Sequence, residues 1–227
     1  MPPPVIAPLD IPHKDRYINK TVRSVFEDAV GTKGEQTREM IIRQSAAVFN
    51  RFGYFGTSMS DIMRETGLEK GGIYNHFENK EDLALAAFEY AVGRTSTKIE
   101  EAFRSTRNAA DRLLAFMEVF RSLINDPILP GGCPVLNTAI EADDANPVLK
   151  ERARAAMNEL CDTVNRVVAK GIERDEVNPQ VDAQSAATIL ISTLEGAMMM
   201  SKLYDDPRYM DRAIDHLRAY VESSLRA

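Results

Sequence analysis

Tryptophan is absent, cysteine occurs only twice and histidine three times in the 227 residues of this chain. Cys133 and Cys161 are far apart and show no Cys-x-x-Cys spacing. That excludes a cysteine zinc site or a disulfide framework and fits a reducing compartment. His13, His76 and His216 are scattered, so no metal site is expected. No apolar run approaches the roughly 18–20 residues that a membrane span needs. The opening Met1-Pro-Pro-Pro lacks the basic start of a secretory signal, so a cytoplasmic protein away from membranes is expected. No period-two alternation marks a strand, and no internal repeat is visible. No carboxylate pair, Ser/His/Asp set or phosphate-binding glycine loop stands out, so neither an enzyme nor a cofactor is expected. Positive charge is also missing: 28 Lys and Arg face 34 Asp and Glu, a net charge of −6. Any nucleic-acid binding must therefore come from where cations sit, because the usual basic footprint is lacking.

Helical pattern is what the chain does contain. Apolar residues make up 44%, enough for a sizeable core. An all-α fold is expected, with a small three-helix domain followed by a larger helical one. Residues 1–34 begin Pro-rich and read as a flexible extension. Their Lys14, Arg16, Lys20, Arg23 and Lys33 suit either a DNA-contacting arm or a solvated tail. A first helix is expected from about Arg38, capped by Thr37, to Phe52, with Ile41, Ala46, Val48, Phe49 and Phe52 as its apolar stripe. Ser58 and Asp61 form a capping-box pattern for a second helix that ends at Gly67. A third helix is expected over Lys70 to Phe77, and Asn79 caps a fourth that runs to about Phe103. Beyond it, Leu113, Met117, Phe120 and Ile124 step at helical spacing. Pro134, Asn146-Pro147, Asp182 and Asp206-Pro207 each open a further helix.

The densest signal lies in residues 57–83. Two short helices joined by a tight turn let the second enter the DNA major groove while the first braces it on the backbone. Gly71 and Gly72 have no side chains and allow close approach. Free N–H groups at a helix start favour a phosphate. Lys70, Tyr74, His76 and Lys80 can reach phosphate oxygens, and the Asn75 amide can both donate to and accept from a base edge. Arg38, Lys70 and Lys80 can share one face even though residues 35–82 hold six Lys/Arg against eight Asp/Glu.

The strings Gly53-Tyr-Phe-Gly-Thr-Ser-Met-Ser-Asp-Ile62 and Gly67-Leu-Glu-Lys-Gly-Gly-Ile-Tyr-Asn-His-Phe-Glu-Asn-Lys-Glu-Asp-Leu83 closely resemble the tetracycline-repressor (TetR) family of bacterial regulators. The resemblance covers about 50 residues of the chain. It implies a helix-turn-helix DNA-binding domain over 35–82 and a ligand-binding and dimerisation domain over 83–227. It also implies Thr57 and Ser58 as phosphate contacts at the second helix, Lys70, Gly71, Tyr74, Asn75 and His76 on the recognition helix, and Lys80 as a phosphate contact. Glu69 departs from the Ser or Thr common in the family. A carboxylate there repels phosphate, or accepts from a cytosine amino group. The segment Gly131-Gly-Cys-Pro-Val-Leu-Asn137 with Glu141-Ala-Asp-Asp144 also resembles a pattern in one branch of the family.

Expectations for the C-terminal part follow. Phe88, Phe103, Phe116, Met117, Phe120, Met157 and Met198 are candidates to line an apolar ligand pocket, against the plainer reading that they are core. Cys133, at a helix start where the dipole lowers a thiol pKa, is a candidate sensor of oxidants or electrophiles, against a small residue in a tight turn. Asp143-Asp144 reads as a solvated helix end. The helices starting at Asp182 and Asp206 are candidates for a homodimer interface, with Ser192 and Gly196 permitting close helix approach. The expected protein is a ligand-released repressor acting on a palindromic double-stranded operator, with an unidentified small-molecule effector. The alternatives are a regulator sensing through Cys133 and a helical ligand-binding protein without DNA recognition.

Overall fold

The computed structural model describes residues 32–142 and 145–227. The expectations for residues 1–31 and for Asp143-Asp144 lie outside the described residues. Within them, nine α-helices follow one another: α1 (Lys33–Phe52), α2 (Met59–Thr66), α3 (Lys70–Tyr74), α4 (Lys80–Arg104), α5 (Ala109–Ile124), α6 (Pro134–Ala142), α7 (Pro147–Glu173), α8 (Ala183–Leu203) and α9 (Arg208–Tyr220). A π-helical turn, Val221–Leu225, follows α9. The described residues contain no strand, only an isolated bridge between Val177 and Arg226. The all-α expectation holds.

Local chemistry explains most helix boundaries. α1 begins a turn earlier than expected. Thr32, not Thr37, is its N-cap, because the Thr32 hydroxyl accepts from Glu35 N at 3.3 Å while the Glu35 carboxylate accepts from Thr32 N at 2.7 Å. This is a reciprocal capping box. The Thr37 hydroxyl instead donates to Lys33 O at 2.8 Å within the helix. Ser58 and Asp61 form the expected box at α2, which ends in a left-handed Gly67. Asn79, Asn146 and Asp182 cap α4, α7 and α8 through their side-chain oxygens. α3 is shorter than expected: it stops at Tyr74, and Asn75 is its C-cap.

Two apolar clusters organise these helices. Ile41, Val48, Ile62, Ile73, Phe77 and Leu83 form a small core that binds α1, α2, α3 and the start of α4. A large core runs through α4 to α9, with Phe116, Met117, Phe120, Leu190, Leu194 and Met198 at its centre. α4 contributes Leu83 to the first and Phe88, Val92 and Ile99 to the second. At 25 residues it is about 37 Å long, enough to serve both. The C-terminus is stitched onto the large core. Asn178 N donates to Leu225 O at 2.8 Å, and the Arg226 guanidinium reaches Asp111 at 2.7 Å and Glu222 at 2.7 Å.

The Gly131-Gly132-Cys133 turn between α5 and α6 is wedged against the end of α1. A Cβ on Gly131, whose φ is +114°, would lie 2.3 Å from the Asn50 carbonyl oxygen. Asn50 in turn donates its amide to Pro130 O at 3.0 Å and Gly132 O at 3.1 Å. The small three-helix unit is thus joined to the larger one by buried polar contacts as well as through α4.

Candidate nucleic-acid interface

The recognition segment presents an open surface. Ile73 and Phe77 point into the small core, as their spacing suggests. That leaves Lys70, Gly71, Tyr74 and Asn75 exposed on the opposite side, with His76 half-buried. The Lys70 ammonium lies 5.5 Å from the centre of the Tyr74 ring, a cation–π spacing that keeps both side chains together. A Cβ built on Gly71 meets no heavy atom within 4 Å. Nothing inside the chain requires a glycine there. Glu69 is the N-cap of α3, yet its side chain makes no capping hydrogen bond and is exposed. Arg38, also exposed, stacks its guanidinium 4.9 Å from the Phe77 ring centre at the edge of this unit.

Three of the expected phosphate ligands are committed elsewhere in this arrangement. Thr57 is only 2% exposed, and its hydroxyl donates to Gly53 O at 2.7 Å. It braces the loop between α1 and α2, and only its main chain remains to face a phosphate. The Ser58 hydroxyl donates to Asp61 Oδ2 at 2.6 Å. Hydrogen bonds from the Ser58 hydroxyl and main chain, together with Arg64, hold the Asp61 carboxyl down at about 2. The Lys80 ammonium donates to the Tyr54 carbonyl and lies 4.3 Å from the Tyr54 ring centre. Burial lowers its pKa, opposed by the nearby Glu141 carboxylate.

Most of the expected pocket residues pack as core. Phe116, Met117, Phe120 and Met198 are wholly buried in the large core, and Phe103 and Met157 pack against it. The Phe116 and Phe120 rings lie 5.1 Å apart. The four buried side chains fill the interior, as dense core packing requires. A cavity of about 30 Å³ does open between α1, α4 and α6, and Phe88 is the one expected pocket residue that lines it. Its walls include Phe49, Asn50, Tyr54, Asn137 and Glu141. That volume holds about one water, against several hundred Å³ for a typical ligand site.

Cys133 departs from the sensor expectation. It does stand at the start of α6, but it is 1% exposed and its thiol donates to Glu195 Oε1 at 2.9 Å. Burial first, then the Glu195 charge and hydrogen bond, push its pKa well up, outweighing the helix-start N–H groups of Leu136 and Val135. A thiol held this way is protonated and shielded, the opposite of a reactive thiolate. Glu195 itself was not a candidate from the sequence. It is 6% exposed, and its Oε2 has no hydrogen-bond partner. Burial raises its carboxyl to about 7, despite the Cys133 hydrogen bond. Among the described residues no cluster of three or more His, Cys, Asp or Glu side chains is placed to hold a metal ion. No helix there is long and apolar enough to cross a membrane.

Comparison with known proteins places this geometry. Residues 41–87 match the model of the bacterial regulatory proteins of the tetR family. Residues 109–217 match the tetracyclin repressor-like C-terminal domain. A TetR transcriptional regulator of Chloroflexus aurantiacus is 47% identical, with a TM-score of 0.82 over 86% of this chain and 98% of its own. A TetR-family regulator of Cytophaga hutchinsonii is 33% identical, with a TM-score of 0.79 over 87% of this chain and 98% of its own. An uncharacterized HTH-type transcriptional regulator of Mycobacterium tuberculosis is 27% identical over 83% of this chain and 95% of its own. A helix-turn-helix with an open recognition face, matched by both family models and by relatives along nearly their whole length, makes this chain a member of the TetR family of DNA-binding transcriptional regulators.

Proposed function

We propose that this regulator is a cytoplasmic homodimeric repressor that binds a palindromic operator and is released by a small apolar effector. In this reading residues 35–82 hold DNA and residues 83–227 dimerise and receive the effector. Lys70, Tyr74 and His76 contact phosphates, and Asn75 reads a base edge. Gly71 brings the main chain close to the duplex, and Thr57 acts through its main chain. The observation that carries the reading is the exposed Lys70–Tyr74 pair beside a glycine with open space above it. A helix of a folded domain gains nothing internally from a glycine there, since alanine is the better helix former by about 1 kcal/mol.

The outer face of α8 supports the dimer. Ile189, Met199, Met200 and Leu203 are exposed on it, and Tyr204 is exposed just beyond its end. Gly196 has nothing within 4 Å of a built Cβ, so a second copy can approach closely there. Two-fold pairing along α8 and α9 sets the recognition helices about one DNA turn, ~34–36 Å, apart. The effector acts by binding better to a dimer state in which that spacing is lost. The small cavity between α1, α4 and α6 must widen to accept it.

The test is fluorescence anisotropy with an operator selected from random DNA. Lys70→Ala and Tyr74→Ala should weaken binding while sedimentation shows an unchanged dimer. Lys70→Ala should also flatten the salt dependence by about one phosphate contact. Dissociation of the dimer by either change would contradict the position assigned to α3. Gly196→Arg should give a monomer that no longer binds the operator; a dimer that persists would remove α8 from the interface.

A further inference from the structure

Asn137 and Glu141 lie four residues apart on α6 and so share one face. Both reach out of the large unit and into the helix-turn-helix. The Glu141 carboxylate accepts from Tyr54 N at 2.6 Å through Oε2 and from Phe55 N at 2.9 Å through Oε1. Two successive main-chain N–H groups holding an anion form a nest of the kind that binds free phosphate or carboxylate. Here the anion comes from the chain itself. Gly53, with φ at +77°, makes the approach possible: a Cβ at that position would lie 2.4 Å from Glu141 Oε1.

The surrounding contacts turn this into a junction of three helices. Lys80, in the first turn of α4, donates to the carbonyl of the same Tyr54. Asn137 donates its amide to Asn50 O at 3.0 Å and Gly131 O at 2.9 Å, which ties α6 to the end of α1. Its own carbonyl accepts from the Lys202 ammonium at 2.7 Å, in the last turn of α8. One turn of α6 therefore grips the α1–α2 loop on one side and the outer helix α8 on the other. The loop is short and stiff. Thr57 closes it back onto Gly53, and Ser58 immediately opens α2. Glu141 is thereby linked through this loop to α2 and, across the small core, to α3.

We propose that Glu141 is a positioning residue for DNA binding: its carboxylate is a clasp that sets the orientation of the helix-turn-helix relative to α6 and α8, and opening it lowers operator affinity. The proposal rests on the DNA-binding reading of this family member and adds the route by which the C-terminal helices control it. The competing account is that α4 alone, which enters both cores, fixes the orientation. The two accounts predict opposite signs for one substitution. Glu141→Gln removes a negative charge that lies against the unit that meets DNA, so electrostatics without positioning makes binding tighter. It also replaces one acceptor with an NH₂ group that faces a main-chain donor, so loss of the clasp makes binding weaker.

The experiment uses the full-length dimer and an operator selected from random DNA by the wild-type chain. For Glu141→Gln and Glu141→Ala we expect hydrogen exchange at the Tyr54 and Phe55 amides to speed up at least about tenfold, because both lose their charge-assisted partner. Operator Kd should rise about tenfold, within the usual range of coupling between sites. Dimer state should be unchanged and the melting temperature should fall by only a few degrees, about 2–6 °C, so the variants stay folded at the assay temperature. The slope of log Kd against log salt should also be unchanged, since no phosphate contact is lost. A Glu141→Gln dimer that binds as tightly as wild type, or more tightly, overturns the proposal. So does a salt slope reduced by a full contact, which would make Glu141 part of the DNA surface itself. Failure of the wild-type chain to select any sequence would count against the DNA-binding reading, while exchange at Tyr54 and Phe55 tests the clasp without DNA.

Discussion

Glu195→Gln is the most informative perturbation of the folded state. Glu195 is a carboxyl buried in α8 with one oxygen on the Cys133 thiol and the other without a partner. Burial raises its pKa from 4.5 to about 7. The folded chain therefore holds this proton more tightly than the unfolded chain does. Between those two values the native state carries more protons, so stability is full below the unfolded pKa and falls as pH rises through about 7. A shift of that size corresponds to about 3 kcal/mol lost on going from mildly acidic to mildly alkaline solution. Gln has the same shape, can still accept from the thiol, and carries no charge at any pH. Urea unfolding at fixed protein concentration, from about pH 5 to about pH 8.5, checks this through the difference between the two proteins. They should agree within about 1 kcal/mol at the acid end, and the variant should be more stable by about 3 kcal/mol at the alkaline end. Parallel profiles across the whole range would refute the reasoning, because they would mean that Glu195 is solvated or ionised in the native state. Fixing the concentration matters, since the proposed dimer would add a concentration-dependent term.

Other perturbations separate folding from DNA binding. Gly71→Ala should leave the melting temperature unchanged or raise it, given a helix-propensity gain of up to about 1 kcal/mol and empty space for the methyl group, yet weaken operator binding. Thermal unfolding beside anisotropy reads both, and unaltered DNA affinity would show that the recognition surface does not need the glycine. Ser58→Ala removes the α2 cap and should cost about 1 kcal/mol in chemical unfolding; no measurable loss would mean that the box with Asp61 contributes nothing. Phe116→Ala empties a fully buried site in the large core and should cost about 3–5 kcal/mol, read by the same method. Asn50→Ala leaves the buried carbonyl of Gly132 and the partly buried carbonyl of Pro130 unpaired and should cost about 2–3 kcal/mol; a loss under about 0.5 would mean that water replaces the amide.

The parts of the fold that were legible share a physical origin in near neighbours along the chain. Ser58 with Asp61, Asn79 with Asp82, Asn146 with Pro147 and Gly67 each encode a helix end within a few residues, and the structure forms all four. The start of α1 was equally local, since Thr32 and Glu35 have capping-box spacing; Gly31 and Gly34 on either side of Thr32 masked it. In and just after α3, a side that packs differs from one that does not: Ile73 and Phe77 are apolar and buried, while Tyr74 and Asn75 are exposed. By contrast, no periodicity could tell that Phe116 and Met198 fill a solid core while Phe88 borders a cavity. Whether an apolar side chain lines a void depends on what fills the opposite wall, and those side chains come from other helices.

Cys133 shows the same divide in its chemistry. Its position before Pro134 is local and marks a helix start, where a thiol would acidify. Its burial and the carboxyl of Glu195, 62 residues away, reverse the direction of the shift. Glu141 and Tyr54, 87 residues apart, meet only because α6 folds against the end of α1. The sequence by itself determined the helices, most of their caps, which residues of α3 face outward and the family, since each depends on interactions within about one or two helical turns or on a motif that is contiguous. Only the tertiary structure decided which cations are free, which acids are buried, where space remains and how α6 grips the helix-turn-helix. Desolvation and long-range hydrogen bonds are properties of an assembled interior, and a linear pattern carries no record of which surfaces will face each other there.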